Sequence, residues 1–194
     1  MRESTPLAAI HDVVLEHLRG RTDVVLFGSQ AVNAYVDDAR MTQDVDILAT
    51  DAARLAEELK NMLFERFHLS ISIRMIDEGI AYRVYQIGEP KNRHLVDVRK
   101  VDRLPSYRII DGVQVIDSEE LLCQKVVGMI RRLKTAKGPT DLTDIRRLLL
   151  AFPELKTSGG AVAARLAAIH ASADVVVAWN EIVEQEILPE DDDY

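Results

Sequence analysis

Asp44 and Asp46 stand two residues apart at the head of the apolar run Val45-Asp46-Ile47-Leu48-Ala49. On a strand, side chains at i and i+2 leave on the same face. The two carboxylates would then lie side by side and repel unless something neutralises them. A divalent cation does this, and Mg²⁺ takes a few carboxylates together with substrate phosphates. A polar turn with Asp44 as a solvated cap explains the same pair without chemistry. A third acid, Asp97, sits inside "HLVDVRK" among Leu95, Val96 and Val98. A carboxylate in such a strand must be paired or metal-bound, because burying it alone is costly. Arg99, two residues on, is its plain partner. If this strand neighbours that of Asp44 and Asp46, three carboxylates converge. Such a set can hold two Mg²⁺ ions about 3.5–4 Å apart, as in-line phosphoryl transfer requires, and Mn²⁺ suits the same oxygen ligands.

Gly28-Ser29 breaks the β-forming run Val24-Val25-Leu26-Phe27. Glycine lets a backbone approach closely, and Ser29 caps the helix expected to follow. A helix N-terminus presents free N–H groups to a phosphate. A plain strand-to-helix turn would use the same two residues.

Gly28-Ser29, a spacer, Asp44-Val45-Asp46 and a later strand-borne Asp97 together resemble the polymerase-β-type nucleotidyltransferase superfamily, whose signature is hG[GS], then [DE]h[DE], then a third acid. Arg40-x-Thr42-x-Asp44-x-Asp46, and the stretch around Ala31, resemble its AbiEii toxin-like branch, found in phage-defence and toxin–antitoxin systems. That branch carries a helical lysine, an arginine and then RDhxDh. Here "EELLCQKVVGMIRR" supplies Lys125 with Arg131 or Arg132, and "TDLTDI" supplies Asp141 and Asp144, with Thr140 where the branch has arginine. The resemblance covers residues 24–150. It implies an NTP-dependent, pyrophosphate-releasing enzyme in which Asp44, Asp46 and Asp97 bind two Mg²⁺ ions and catalyse, with Asp97 as the base for the acceptor's proton. Gly28, Ser29, Lys125 and Arg131 would contact the nucleotide, and Asp144 would position Lys125. It also implies an RNA acceptor such as a tRNA 3′ end, and a cognate antitoxin. Taken without the resemblance, Lys125 also reads as a snorkelling surface lysine, and Asp141 and Asp144 as acids offsetting a helix dipole. Two rivals stay open: transfer to a small molecule or a protein, and a non-catalytic binding or antitoxin-like protein of the same fold.

The elements that would carry these residues alternate at first. Thr5-Pro6 predicts a helix start, with Pro6 at the first helical position, and a helix to about Gly20. Strands are expected at 23–27 and 45–49, with a short helix over 29–37 between them and a helix from Asp51 to about Phe67. Residues 69–76 alternate, with Leu69, Ile71, Ile73 and Met75 inward, and pair with 80–87 as a hairpin. His94–Arg99 and, more weakly, 112–116 add strands. After Asp117 the pattern is helical, at about 119–134, 141–151, 158–170 and 173–187, with Gly138-Pro139 as a break. The expected fold is α/β (α+β): a small mixed β-sheet flanked by helices over 1–116, then a C-terminal helical bundle over 117–194.

The composition suits this. The 194-residue chain is 47% hydrophobic and 29% charged, as in ordinary soluble proteins. No apolar run reaches membrane-spanning length and no signal peptide is evident. A single cysteine, Cys123, excludes an intrachain disulfide and a cysteine-rich zinc site, and cytoplasmic residence is expected. The net charge of −8 argues against coating long nucleic acid. Residues 125–147 are nonetheless rich in Lys and Arg, and Arg131, Arg132, Lys134 and Lys137 are the expected contacts to RNA. The acidic PEDDDY end is expected to fray. The five histidines show no metal-ligand spacing, and Tyr107 beside Arg108 could stack on a base.

Overall fold

The computed structural model describes residues 5–189. From residue 190 on, the PEDDDY end lies outside them. The chain divides into two compact units, Met1–Ala31 with Ala39–Ile116, and Val32–Asp38 with Asp117–Tyr194.

The first unit is built on a seven-stranded mixed sheet. Its strands are β1 (Val24–Phe27), β2 (Val45–Ala49), β3 (Ile71–Ile76), β4 (Ala81–Gln86), β5 (Arg93–Lys100), β6 (Tyr107–Ile110) and β7 (Val113–Ile116), in the order β3-β4-β5-β2-β1-β7-β6. β2 runs parallel to β5 and antiparallel to β1, and β1 runs parallel to β7. The central strands are apolar on the face carrying Val24, Leu26, Val45, Ile47, Ala49, Val96 and Val98, all buried. Helices α1 (Leu7–Leu18) and α3 (Ala52–Phe67) cover that face with Ile10, Val14 and Leu18, and with Leu55, Ala56, Leu59 and Leu63. Arg21, just beyond α1, ties the two helices by donating to Glu58 of α3 at 2.6 Å. The Asp51 carboxylate caps α3 by accepting from the Arg54 N–H at 3.1 Å.

The second unit contains helices α4 (Ser118–Arg131), α5 (Lys137–Ala151), α6 (Ala161–Ala168) and α7 (Ala173–Glu184). Leu121, Leu122, Val126, Ile145, Leu148, Val162, Leu166 and Trp179 form its core. Cys123 is buried there, and desolvation followed by the nearby Glu120 pushes its thiol up to about 11. No helix among the described residues is long and apolar enough to cross a membrane. Helix α2 (Gly28–Tyr35) begins in the first unit, and its residues from Val32 on belong to the second.

Several local expectations change. Pro6 is the N-cap of α1 and not its first helical residue. Met75 is 61% exposed, on a strand at the edge of the sheet. Strand β6 was not expected. α5 starts at Lys137, so Gly138 and Pro139 lie within its first turn. A proline there loses no hydrogen bond, since first-turn N–H groups have no helical acceptor.

Candidate active site

Register partners in adjacent strands project on the same face of a sheet. Phe27 of β1 opposes Asp46 of β2, Asp46 opposes Asp97 of β5, Asp97 opposes Arg83 of β4, and Arg83 opposes Arg74 of β3. The result is one cross-strand row, Phe27–Asp46–Asp97–Arg83–Arg74, on the face away from α1 and α3. The strands therefore bring Asp46 and Asp97 side by side although 51 positions of chain separate them.

Gly28 closes the row beside Phe27. Its φ is +70°, which an L side chain rarely adopts, and a Cβ built on it would lie 2.7 Å from Asp46 Cγ. Any larger residue would have to displace the carboxylate, so glycine is required here by both conformation and space. Ser29 follows at the second position of α2, and its hydroxyl accepts from Arg40 Nη2 at 3.0 Å.

Beneath this loop three buried or half-buried groups from different segments meet. Gln30 Nε2 donates to Thr42 Oγ1 at 2.7 Å and lies 3.0 Å from His11 Nδ1. An amide nitrogen only donates, so Nδ1 accepts and the His11 ring is neutral. Burial lowers its pKa accordingly, against the pull of Asp44. The start of α2 is thereby bound to the segment entering β2.

The three acids do not gather as a single cluster. Among the described residues no group of three or more His, Cys, Asp or Glu side chains is placed to hold a metal ion. Asp44 turns to His94, whose Nδ1 is 3.0 Å from its Oδ2. Asp97 lies 3.5 Å from Arg83 Nε and 3.8 Å from Arg99 Nη2, so the plain partner Arg99 is present and Arg83 joins it. Like charges repel, and Asp44 and Asp97 each face a basic side chain. These contacts leave Asp97 incompletely satisfied. It is 5% exposed, and its Oδ1 is buried with no hydrogen-bond partner among the described residues. A buried carboxylate oxygen without a donor, beside a second carboxylate and a glycine that leaves room, is a donor set that fits a hard divalent cation.

In the helical unit, Lys125 is 6% exposed and is no snorkelling surface lysine. Its Nζ donates to Asp144 Oδ2 at 2.6 Å and lies 3.6 Å from Asp141 Oδ1. Asp141 also accepts from Arg132 at 2.7 Å and 2.9 Å. Arg132 is exposed and pairs with Asp141. Arg131, Lys134 and Lys137 are exposed.

No family model matches the chain, and no curated protein matches its sequence. Solved structures do match. The Megavirus polyadenylate synthase superposes with a TM-score of 0.59 at 14% identity, over 76% of this chain and 32% of the viral one. A candidate nucleotidyltransferase from H. pylori superposes with a TM-score of 0.60 at 15% identity, over 95% of this chain and 94% of its own. The chain has a nucleotidyltransferase-like fold. ANT(2″)-Ia, solved in complex with adenylyl-2″-tobramycin, shares it with a TM-score of 0.51 at 14% identity, over 92% of this chain and 98% of that one. The chain spans about a third of the viral synthase and nearly the whole of the other two.

On this nucleotidyltransferase-like fold, sequence reasoning missed His11, Gln30, Arg83 and His94 as neighbours of the site. Their distances along the chain carry no periodic signal. One cue was present for Arg83: the alternation of residues 80–87 against a strand holding Asp97 places one residue of that segment opposite the acid.

Proposed function

We propose that the protein is a metal-dependent nucleotidyltransferase of the polymerase-β type, centred on Asp46 and Asp97. It moves a nucleoside monophosphate from an NTP to an acceptor, which the AbiEii toxin-like reading makes RNA, with a cognate antitoxin as its partner. The observation that carries the proposal is the adjacency of Asp46 and Asp97 in the β2–β5 register, with Gly28 packed against Asp46.

In this reading Asp46 and Asp97, joined by Asp44, would hold two Mg²⁺ ions, which supply charge neutralisation on the phosphates and Lewis-acid activation of the acceptor hydroxyl. The start of α2 presents the backbone N–H groups of Gly28 and Ser29 to the triphosphate. The Ser29 hydroxyl is oriented by Arg40. The acceptor oxygen bonds to the α-phosphorus, the bond from that phosphorus to the pyrophosphate oxygen breaks, and Asp97 takes the acceptor's proton. In the helical unit the same reading assigns nucleotide contact to Lys125 and Arg131, with Asp144 holding the ammonium of Lys125. Transfer to a small molecule such as an aminoglycoside is the alternative within the same chemistry.

A ligand that binds only the folded state raises stability by mass action, about 2.7 kcal/mol at a hundredfold excess over Kd. For a chain of this size that corresponds to a rise of roughly 5–10 °C in the unfolding midpoint. Scanning calorimetry with Mg²⁺ and each of the four NTPs should show such a rise for at least one, abolished by EDTA. No shift at millimolar nucleotide would count against an NTP site.

A further inference from the structure

The carboxylate row does not end at Asp97. It continues across the sheet through Arg83 to Arg74 at the β3 edge. Two arginines directly opposite one another destabilise a strand pair. Arg83 is relieved in part by Asp97 at 3.5 Å. Arg74 is exposed and makes no hydrogen bond or ion pair among the described residues. Arg99, on the same strand face as Asp97, lies over the Phe27 ring at 5.1 Å and adds a third guanidinium to the surface. In a protein whose net charge is −8, this strip is locally cationic.

The order of residues along the row gives it a direction. In-line displacement puts the attacking and leaving oxygens on opposite sides of the reacting phosphorus. If the triphosphate rests on Gly28 and Ser29, as the proposed function holds, the leaving pyrophosphate lies at the Phe27 end. The acceptor then approaches from the other end, over Asp97, Arg83 and Arg74. Adjacent strands are about 4.8 Å apart, so Arg74 stands roughly 10 Å from Asp97 at the backbone, within an arginine side chain's reach of phosphates next to the reacting terminus.

We propose that Arg83 and Arg74 form the acceptor-phosphate site, and that it selects a single-stranded polynucleotide end over a cationic acceptor. This rests on the nucleotidyltransferase reading for its direction. A polyanion is drawn to such a strip and gives it the counter-charge that the sheet lacks, whereas a polyamine-like acceptor such as tobramycin is repelled. Phosphate contacts of this kind position the strand without reading its sequence.

The test is binding without turnover. A fluorescein-labelled single-stranded oligoribonucleotide is titrated with wild-type protein, Arg74→Glu and Arg74→Lys over a salt series, and anisotropy is followed with no NTP present. Arg74→Glu should weaken binding roughly tenfold at low salt. It should also make the slope of log K against log salt shallower by about 0.7 for each phosphate that the side chain no longer neutralises. Arg74→Lys should bind nearly as well as wild type, because phosphate is met as a point charge. Wild-type binding by Arg74→Glu at every salt concentration would overturn the site, as would no binding by the wild type or equal weakening in both variants. Arg74 lies on an edge strand and contacts no carboxylate of the row, so NTP-dependent thermal stabilisation should be the same in all three proteins. If that stabilisation is absent from the wild type, the nucleotide reading fails while the binding result still stands or falls by itself.

Discussion

Asp46→Asn should lower NTP-dependent transfer by on the order of a thousandfold, since a metal-held carboxylate supplies several kcal/mol of transition-state stabilisation. The fold should survive. Asp46 is half-buried, and the amide keeps its shape while removing a negative charge next to Asp97. The thermal midpoint should stay within a few degrees of wild type, because substitutions that neither hollow the core nor strand a buried charge cost about half a kcal/mol or less. The rise in midpoint given by Mg²⁺ and NTP should disappear with the activity. Calorimetry beside a pyrophosphate-release assay separates these effects. A variant that loses its cooperative transition would show instead that the acid pair is structural.

The opposite signature is expected in the helical unit. Lys125 is buried and depends on Asp144 at 2.6 Å, with Asp141 a longer contact at 3.6 Å. Asp144→Ala strands the ammonium in a low-dielectric setting, which costs about 3–5 kcal/mol. The midpoint should fall by roughly 10 °C or more. Lys125→Met combined with Asp144→Leu removes both charges and fills similar volume, so it should recover most of that loss. Thermal unfolding of the two variants decides the matter. If Lys125 has the proposed nucleotide contact, the recovered double variant will be stable and poorly active. A single Asp144→Ala protein as stable as wild type would show that Asp141 alone satisfies the lysine.

Much of this was legible from local patterns. Val45–Ala49 is a strand as expected, because an apolar run between Asp44 and Thr50-Asp51 has sharp polar limits. The 16 residues of α3 follow from the spacing of Leu55, Leu59 and Leu63 behind the Asp51 cap. What escaped depends on tertiary context. Met75 belongs to an alternating segment, yet alternation does not say whether a strand will be covered, and β3 is an edge. Tyr107–Ile110 is too short to show a period, and Ile109, at 70% exposure, contributes nothing to a core. Gly138-Pro139 reads as a break, but a helix tolerates both in its first turn.

The site shows the same division. The three acids, Gly28 and Ser29 could be named from spacing, since i and i+2 on a strand share a face and glycine permits close approach. The pairing of Asp46 with Asp97 needed the strand order, which the sequence left conditional. Arg99 could be named as a partner of Asp97 from its place two residues on, but the other basic partners were invisible. His94 meets Asp44 across 50 positions of chain, and Arg83 meets Asp97 only through the β4–β5 register. Lys125 and Asp144 lie 19 positions apart on two helices, and only the resemblance suggested that one holds the other.

The measurement closest to the centre of the account uses NTP labelled in the α- or the γ-phosphate, with Mg²⁺, wild-type protein and a pool of short single-stranded RNA. Label from the α-position should become covalently attached to the RNA, with pyrophosphate released in equal amount, and none should arrive from the γ-position. Asp46→Asn and Asp97→Asn should do neither. Transfer of the γ-label would make the protein a phosphoryl-transfer enzyme. Absence of α-label from RNA, with any of the four NTPs and in spite of measurable nucleotide binding, would contradict the proposal that the Asp46–Asp97 row transfers nucleotides to RNA.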